Sequence, residues 1–412
     1  MMFGHLFLKE CRQTAKSMIY WLIVLILVIF FNSQLGSMEF AEKPEPGQEN
    51  YGTVSGGDEQ ATMEATLGYL CGEYSAGTFT TYPIGFYKTV KPDQEEQERI
   101  GEIIAETTGL TSIDEIDSAI SDVQGDSQII FGSAPVKPKA GLTFERFSEL
   151  MEEMDDMLGG GSNYSKDSLK TNASTPMTYE QALEQYNDLT EKDHFTGAYA
   201  RLFSDYMGIM LGILPVFLAV TRGMRDRRSR MQELIASRSA SSAAIIFSRY
   251  LSMIAMLMLP VLLISCIPLI ECIKAAGGGI SVDYLAFVKY TACWLMPTAM
   301  TAAAVGMVLT ELTDTALGVL VQLIWWFLSI FGSISSLHGG MYGWDLVPRH
   351  NTPYNYAGFH ADFSQLAANR ALYAGISLLL VLVTVWIYSL KRKGRLDIRG
   401  KIFGNRKRKC QA

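Results

Sequence analysis

The sequence predicts an α-helical polytopic membrane protein with six transmembrane helices and a mainly helical domain inserted after the first. Of its 412 residues, 49% are hydrophobic and only 19% are charged, whereas soluble domains carry about 25% charge. The hydrophobic residues form long uncharged runs, and the charged residues form separate acidic and basic stretches. A purely soluble protein and a disordered chain are therefore both excluded.

Uncharged windows predict where the chain crosses the bilayer. A helix needs about 20 residues to span the hydrocarbon core. Windows of that length without charge lie at 17–38, 250–270, 290–310, 315–344 and 371–390, and a shorter sixth lies at 206–221. We predict transmembrane helices at 17–38, 199–221, 250–270, 290–310, 315–336 and 370–390. No small-residue cleavage motif closely follows the first window, so an uncleaved signal anchor is favoured over a cleaved signal peptide.

The second span reaches sufficient length only if it includes two charged residues. Arg201 and Asp205 are four positions apart, so they share one helix face and are expected to pair with each other. One interpretation is an interfacial pair whose charged groups reach the headgroup region. The other is a charge pair that lines a substrate path through the membrane.

Charge asymmetry predicts the topology. Residues 37–198 contain 31 acidic and 10 basic residues, whereas residues 1–16, 221–249 and 391–412 together hold 20 of the 35 Lys and Arg residues. The positive-inside rule places those three basic segments in the cytoplasm. Residues 39–198 then form an extracellular domain, and 271–289 and 337–369 also lie outside. The protein is expected in the plasma membrane, and nucleic acid is not expected as a partner.

The acidic segment carries several helix signals and little strand signal. A helix is expected after Pro92, and Ser112/Glu115 and Thr178/Gln181 have capping-box spacing. A further amphipathic helix covers residues 144–158 and ends at Gly159, and its methionines are expected in the core. Strand character is limited to the neighbourhood of residue 82. The domain is predicted to be mainly helical, with an α+β fold as the alternative.

The sequence offers no pattern for catalysis or metal binding. No GxxxxGK[ST] motif is present, so no P-loop can hold a nucleotide. The six cysteines lack metal-ligand spacing, and His338, His350 and His360 match no standard zinc pattern. We expect no enzyme activity, no cofactor and no metal in this chain.

The basic segment 221–250 resembles a defined family element. It resembles the cytoplasmic coupling loop of ABC-2 type (type-2 ABC exporter) permease subunits with a large extracellular domain after the first transmembrane helix. The residues that match are Asp226, Arg227, Arg228, Glu233, Leu234, Ile235, Ser237, Ser241 and Arg249. The sequence departs at Ser239, often proline in that family, and at Ser242, often basic. Residues 1–16 also resemble the family's amphipathic elbow helix, and 337–369 its external or re-entrant helices.

The resemblance implies a transport function powered by another protein. A separate ABC ATPase subunit would bind ATP and Mg²⁺ and dock on the coupling loop at residues 222–249. The docking residues implied are Asp226, Arg227, Arg228, Glu233, Leu234, Arg238, Glu311 and Asp314. A complete transporter would need a second permease copy or a sister permease, embedded among membrane lipids. The cargo class stays open among peptide, drug, lipid and ion.

Polar side chains inside the apolar windows are candidates for a translocation path. Gln322 lies in the fifth span beside Trp325 and Trp326, and intramembrane polar groups usually face the bundle interior. An interhelical hydrogen bond is the alternative role for Gln322. Arg201 and Asp205 complete this candidate set. The rival hypothesis for the whole chain is a membrane-anchored sensor or binding scaffold whose acidic domain captures a cationic ligand.

Overall fold

A computed structural model describes residues 2–36, 38–48, 50–55, 58–82, 88–124, 135–166, 168–169, 174–228, 240–332, 340 and 342–395. The chain divides into two compact units. The first comprises Met1–Ala41 and Asn187–Ala412, and the second comprises Glu42–Tyr186. This division resembles the predicted insertion at 39–198, although each boundary differs by several residues.

The first unit consists of helices. Their bounds are α1 Met2–Ala15, α2 Met18–Leu35, α8 Thr196–Leu211, α9 Leu214–Arg228, α10 Ser242–Ala276, α11 Ala286–Tyr290, α12 Met296–Thr313, α13 Leu317–Gly332, α14 Tyr356–Ala361 and α15 Phe363–Arg392. Two π-helical turns, Asp188–Lys192 and Thr291–Leu295, precede α8 and α12.

Five helical segments are long and apolar enough to cross a membrane. They are Met18–Leu35, Thr196–Arg225, Ser242–Ala276, Ala286–Thr313 and Phe363–Arg392. The sixth apolar helix, α13, has 16 residues, or about 24 Å at 1.5 Å per residue, and is shorter than a standard span. The predicted helical multi-pass membrane protein is therefore confirmed with five such helices.

Small residues allow close packing around α12. This helix packs against α9, α13 and α15, and Ala302, Ala303 and Ala304 are fully buried in it. A Cβ atom added to Gly306 would lie 2.9 Å from the Ala219 Cβ atom of α9. Small side chains let transmembrane helices approach in this way, since van der Waals contact is a main source of their association.

The second unit is mainly helical in its described part, as predicted. Its helices are α3 Glu59–Ala76, α4 Gln94–Thr108, α5 Ile113–Gln124, α6 Phe144–Met157 and α7 Tyr179–Asn187, the last residue of which lies in the first unit. Two antiparallel strand pairs join β1 Thr53–Ser55 to β4 Ser174–Pro176, and β2 Phe79–Thr81 to β3 Lys88–Val90. The β2 strand confirms the strand character expected near residue 82.

Local sequence signals set the ends of these helices. Ser112 with Glu115, and Thr178 with Gln181, exchange the reciprocal hydrogen bonds of a capping box, as predicted. The helix expected after Pro92 begins at Gln94. Asp93 is its N-cap, because the Asp93 side chain accepts a hydrogen bond from the backbone N–H of Glu96. The α6 helix ends at Met157, before three glycines with positive φ angles. Its Met151 and Met154 are fully buried in the core, as expected.

Candidate functional site

At one end of the first unit, the N-terminal helix is bound to the two helices that flank residues 229–241. Helix α1 packs along α10, and its Glu10 carboxylate forms an ion pair with Arg222 of α9. The second oxygen of the same carboxylate lies 3.7 Å from Arg249 Nε of α10. The side chains of Glu10, Arg222 and Arg249 are all largely buried. Glu10 thus connects three elements, and we call this ion-pair group the basic-end cluster.

A second ion-pair group lies at the same end of the helices. Lys391, near the end of α15, contacts the Asp314 carboxylate at 2.6 Å and the main-chain carbonyl of Glu311. Arg392 donates a hydrogen bond to the carbonyl of Ala240, just before α10. These contacts gather the end of α12, the start of α10 and the end of α15.

The residues proposed for ATPase docking fall into three groups. Asp226, Arg227 and Arg228 form the last turn of α9, although nothing is described of their side chains. Glu233, Leu234 and Arg238 lie outside the described residues. Glu311 and Asp314 lie at the end of α12 and contact Lys391, and their side chains are 13% and 21% exposed. A partner that uses these two carboxylates must therefore compete with Lys391.

At the opposite end of the unit, the predicted pairing of Arg201 with Asp205 is wrong. Arg201 is fully buried and forms a two-pronged ion pair with Asp193, at 3.2 and 2.9 Å. Its guanidinium also donates to the carbonyl of Pro353 and lies 4.5 Å from the ring centre of Phe359. Because the Arg201 side chain is fully buried within the protein, its charged group does not extend outward to the headgroup region.

Asp205 has a different set of partners. Its Oδ1 atom accepts a hydrogen bond from Arg349 Nε at 2.7 Å, and its Oδ2 atom accepts from the backbone N–H of Asn351 at 2.9 Å. The backbone N–H of His350 also donates to Oδ1. The carboxylate is fully buried, so these donors replace the water that it loses. Asp205 therefore holds the loop 349–351 against α8.

His350 continues this buried polar group. Its Nε2 atom lies 3.0 Å from the carbonyl of Tyr354, and its Nδ1 atom lies 2.7 Å from the hydroxyl of Tyr342. Because a carbonyl can only accept, Nε2 must carry the proton, and Nδ1 accepts from Tyr342. Burial, with a contribution from the positive charge of Arg201, lowers the pKa of His350 to about 3. The ring is neutral at physiological pH.

The second predicted span is interrupted in its middle. Helix α8 ends at Leu211 and α9 begins at Leu214, and Pro215 in the first turn of α9 has no N–H to continue the helix. The interruption leaves the carbonyls of Ile209 and Gly212 without a helical partner. Trp326 Nε1 donates to Ile209 at 2.7 Å, and Gln322 Nε2 donates to Gly212 at 2.6 Å.

These two donors come from successive turns of α13. We call the arrangement the span-break clamp, comprising the carbonyls of Ile209 and Gly212 with the side chains of Gln322 and Trp326. The interhelical hydrogen bond considered for Gln322 is thus present in the structure. Its Oε1 atom, however, is buried and has no hydrogen-bond partner among the described residues. Trp325, by contrast, packs on Tyr373 of α15, with ring centres 6.0 Å apart.

Four of the five path candidates therefore form two groups, and Trp325 belongs to neither. Arg201 and Asp205 belong to the buried polar group at the end of α8, and Gln322 and Trp326 belong to the span-break clamp. Val347 lies between them, since its side chain approaches both Gly208 and Gly212. Whether any of these residues lines a path for cargo stays a prediction.

Several residues that organise these sites were not singled out from the sequence. Asp193, Glu10, Arg349 and Arg370 all form buried or half-buried polar contacts. The sequence signal that could have identified such residues is a charged side chain next to an apolar window, as at Arg370. Within the part of the chain that the structure describes, no group of three His, Cys, Asp or Glu residues could hold a metal ion.

Comparison with known proteins assigns no family and no function to this chain. No family model, no curated protein and no solved structure matches the chain.

Proposed function

We propose that this chain is the transmembrane permease subunit of an ABC exporter for a peptide, drug, lipid or ion. A separate ATPase subunit binds ATP and Mg²⁺ and docks on residues 222–249. The chain acts with a second copy of itself or with a sister permease. It lies in the plasma membrane, with residues 1–16 and 391–412 in the cytoplasm and residues 39–198 outside.

The observation that carries this proposal is the basic-end cluster. Glu10 links the N-terminal amphipathic helix to Arg222 and Arg249, which lie on either side of the proposed docking loop. A force applied to that loop reaches α1, α9 and α10 together, because one carboxylate connects all three. A permease that receives a mechanical signal from an ATPase needs such a rigid base at its docking surface.

Chain connectivity supports six crossings. The end of α12 contacts Lys391 at the last turn of α15, so Asp314 and Lys391 lie at the same end of the bundle. Helix α15 begins at Phe363, about 45 Å from its last residue for 30 residues. This arrangement supports one further crossing between Asp314 and Phe363, and α13 is an apolar helix in the described part of that stretch. The adjoining residues 333–339 lie outside the described residues.

The basic residues support the proposed orientation. The segments rich in Lys and Arg all adjoin the end of the bundle that contains Glu10, Asp314 and Lys391. Cytoplasmic loops of membrane proteins carry this excess of positive charge. The proposed docking loop thus lies on the side where ATP is available.

Co-purification tests the proposal. The tagged protein is isolated from its native host in a mild detergent, and co-purifying proteins are sequenced and assayed for ATP hydrolysis. We expect a stoichiometric partner with a P-loop. Glu233→Lys should abolish its retention, because this change reverses the charge of a proposed docking residue while the membrane helices stay intact.

The matched control is Glu98→Lys. Glu98 is an exposed carboxylate in the second unit, so this variant makes the same charge change away from the docking loop and should retain the ATPase. Equal retention by both variants contradicts the docking assignment. Absence of any ATPase from wild-type preparations contradicts the transporter proposal and favours the sensor or binding scaffold.

A further inference from the structure

A cavity of about 490 Å³ lies between the beginnings of the last two long spans. Its apolar wall is formed by Tyr290, Trp294, Phe359, Phe363 and Leu366. Phe363, the first residue of α15, is 53% exposed. The volume falls in the range of small-molecule sites, and the position is at the end of the membrane-crossing segments. The cavity is therefore open at the surface of the first unit.

Two cations also line the cavity, and they differ in their partners. Lys289 is largely exposed and pairs with Asp283 at 2.7 Å. Arg370 is buried, and all three of its guanidinium nitrogens donate to neutral acceptors of the protein, which are the Thr298 hydroxyl at 2.7 Å, the Asn369 amide oxygen at 2.6 Å and the backbone carbonyls of Trp294, Asp345 and Leu346. None of the ion pairs among the described residues includes Arg370, although the more distant carboxylate of Asp345 interacts favourably with its charge. Because no carboxylate among the described residues lies within ion-pair distance of this buried charge, an anionic ligand nearby is favoured.

A third feature is an unused donor in the wall. Trp294 is 3% exposed, and its indole Nε1–H has no hydrogen-bond acceptor among the described residues. Its backbone carbonyl accepts from Arg370 Nη1 at 3.2 Å. Buried N–H groups in proteins are nearly always paired. Within the described part of the chain, the cavity thus combines apolar walls, a buried cation outside any ion pair and a donor that lacks an acceptor.

We propose that this cavity binds an anionic amphiphile from the bilayer, with its acyl chain along the aromatic wall. Its phosphate or carboxylate group lies beside the exposed Lys289, and the buried charge of Arg370 attracts it without direct hydrogen bonds. This inference requires only that the helices around the cavity lie in a membrane. It does not depend on transport or on the ATPase.

Cys293 provides a reporter for the test. This thiol lines the cavity and is exposed, and Cys266 is a second exposed thiol on α10 that does not line it. The wild-type protein in digitonin is alkylated with N-ethylmaleimide, and the modification rate of each cysteine is measured by peptide mass spectrometry. Cys266 serves as the internal reference within the same molecule.

The probes distinguish binding of the alkyl chain from binding of the charged headgroup. Dodecyl phosphate should slow alkylation of Cys293 severalfold and leave Cys266 unchanged. Dodecyl maltoside, which has the same chain without charge, should protect much less, and inorganic phosphate should not protect. Protection by inorganic phosphate alone would overturn the amphiphile assignment, and equal protection by both dodecyl compounds would overturn the anionic one. Absence of protection by dodecyl phosphate would overturn the site itself.

Two neighbouring alanines give a matched pair of variants. Ala367 lines the cavity, and Ala368 is the next residue on α15, exposed and outside the cavity lining. Ala367→Trp should fill the cavity and abolish the protection, whereas Ala368→Trp should retain it. Arg370→Gln should remove the preference for dodecyl phosphate over dodecyl maltoside. If Arg370→Gln fails to fold, the alanine pair still decides the outcome.

A second copy of the chain is the other occupant that the test detects. In that case, Cys293 alkylation would slow as protein concentration rises and would not respond to dodecyl phosphate. This result would overturn the proposal.

Discussion

The span-break clamp makes Gly212 a position where one methyl group has a large predicted effect. A Cβ atom at residue 212 would lie 2.7 Å from Trp326 Cδ1 and 2.8 Å from Val347 Cγ2. The indole is fixed by its bond to the Ile209 carbonyl, and the Val347 backbone donates to Ser329 at 3.0 Å. Neither side chain can withdraw without breaking a hydrogen bond or moving the loop.

The size of the effect follows from the two contacts. Overpacking a fixed interior site costs about 1–3 kcal/mol. An alanine in place of glycine in a helix recovers only about 0.5–1 kcal/mol of backbone entropy. We therefore expect Gly212→Ala to lower the free energy of unfolding by about 1–2 kcal/mol. Reversible unfolding in mixed detergent micelles measures this change.

Gly208 provides the matched control one helical turn earlier. A Cβ atom there would lie 3.4 Å from Val347 Cγ1 and 3.7 Å from Leu295 Cδ2, which are ordinary contacts. Gly208→Ala should therefore leave stability unchanged or raise it by up to about 1 kcal/mol. Equal stability of the two variants would refute the clamp geometry, because both substitutions make the same chemical change, one within α8 and one at its C-cap.

Three further predictions concern the other polar contacts. Gln322→Leu should lower the unfolding free energy by about 0.6–1.7 kcal/mol, because a carbonyl at the span break loses its donor; an unchanged value would argue against that bond. Between pH 3 and 6.5 the unfolded state binds the additional proton of His350, so stability should rise with pH there, and His350→Gln should flatten this slope in denaturant titrations. Glu10→Gln should destabilise the protein by about 1–3 kcal/mol and speed proteolysis of α1, because Arg222 loses its counter-charge; Lys9→Gln, at an exposed position, should do neither.

The sequence could predict features that depend on neighbouring residues. The capping boxes at Ser112 and Thr178 formed because their hydrogen bonds span only three residues. Five of the six apolar windows lie in helical segments long enough to cross a membrane, since hydrocarbon burial is decided by composition over one segment. The methionines of α6 reached the core through helical spacing alone.

Partners that are distant in sequence could not be predicted in the same way. The four-residue spacing of Arg201 and Asp205 is compatible with a pair. In the folded protein, however, each side chain pairs with a different residue. Asp193 comes from a turn before α8, and Arg349 comes from a loop 144 residues away. The span break beside Pro215 was not predicted, and its donors on α13 become evident only when the helices pack. These contacts depend on the three-dimensional arrangement and not on local spacing.

The length of α10 has a mechanical consequence. Its 35 residues extend for about 52 Å, well beyond the ~30 Å hydrocarbon thickness. One of its ends lies beside the basic-end cluster, and the other ends at Ala276, near the segment that precedes α11. A tilt of about 10° around its midpoint displaces each end by about 4.5 Å in opposite directions. Pro260 and Pro268 each remove a backbone hydrogen bond inside this helix. An angular change at one end therefore reaches the other as a tilt combined with a bend at these two residues.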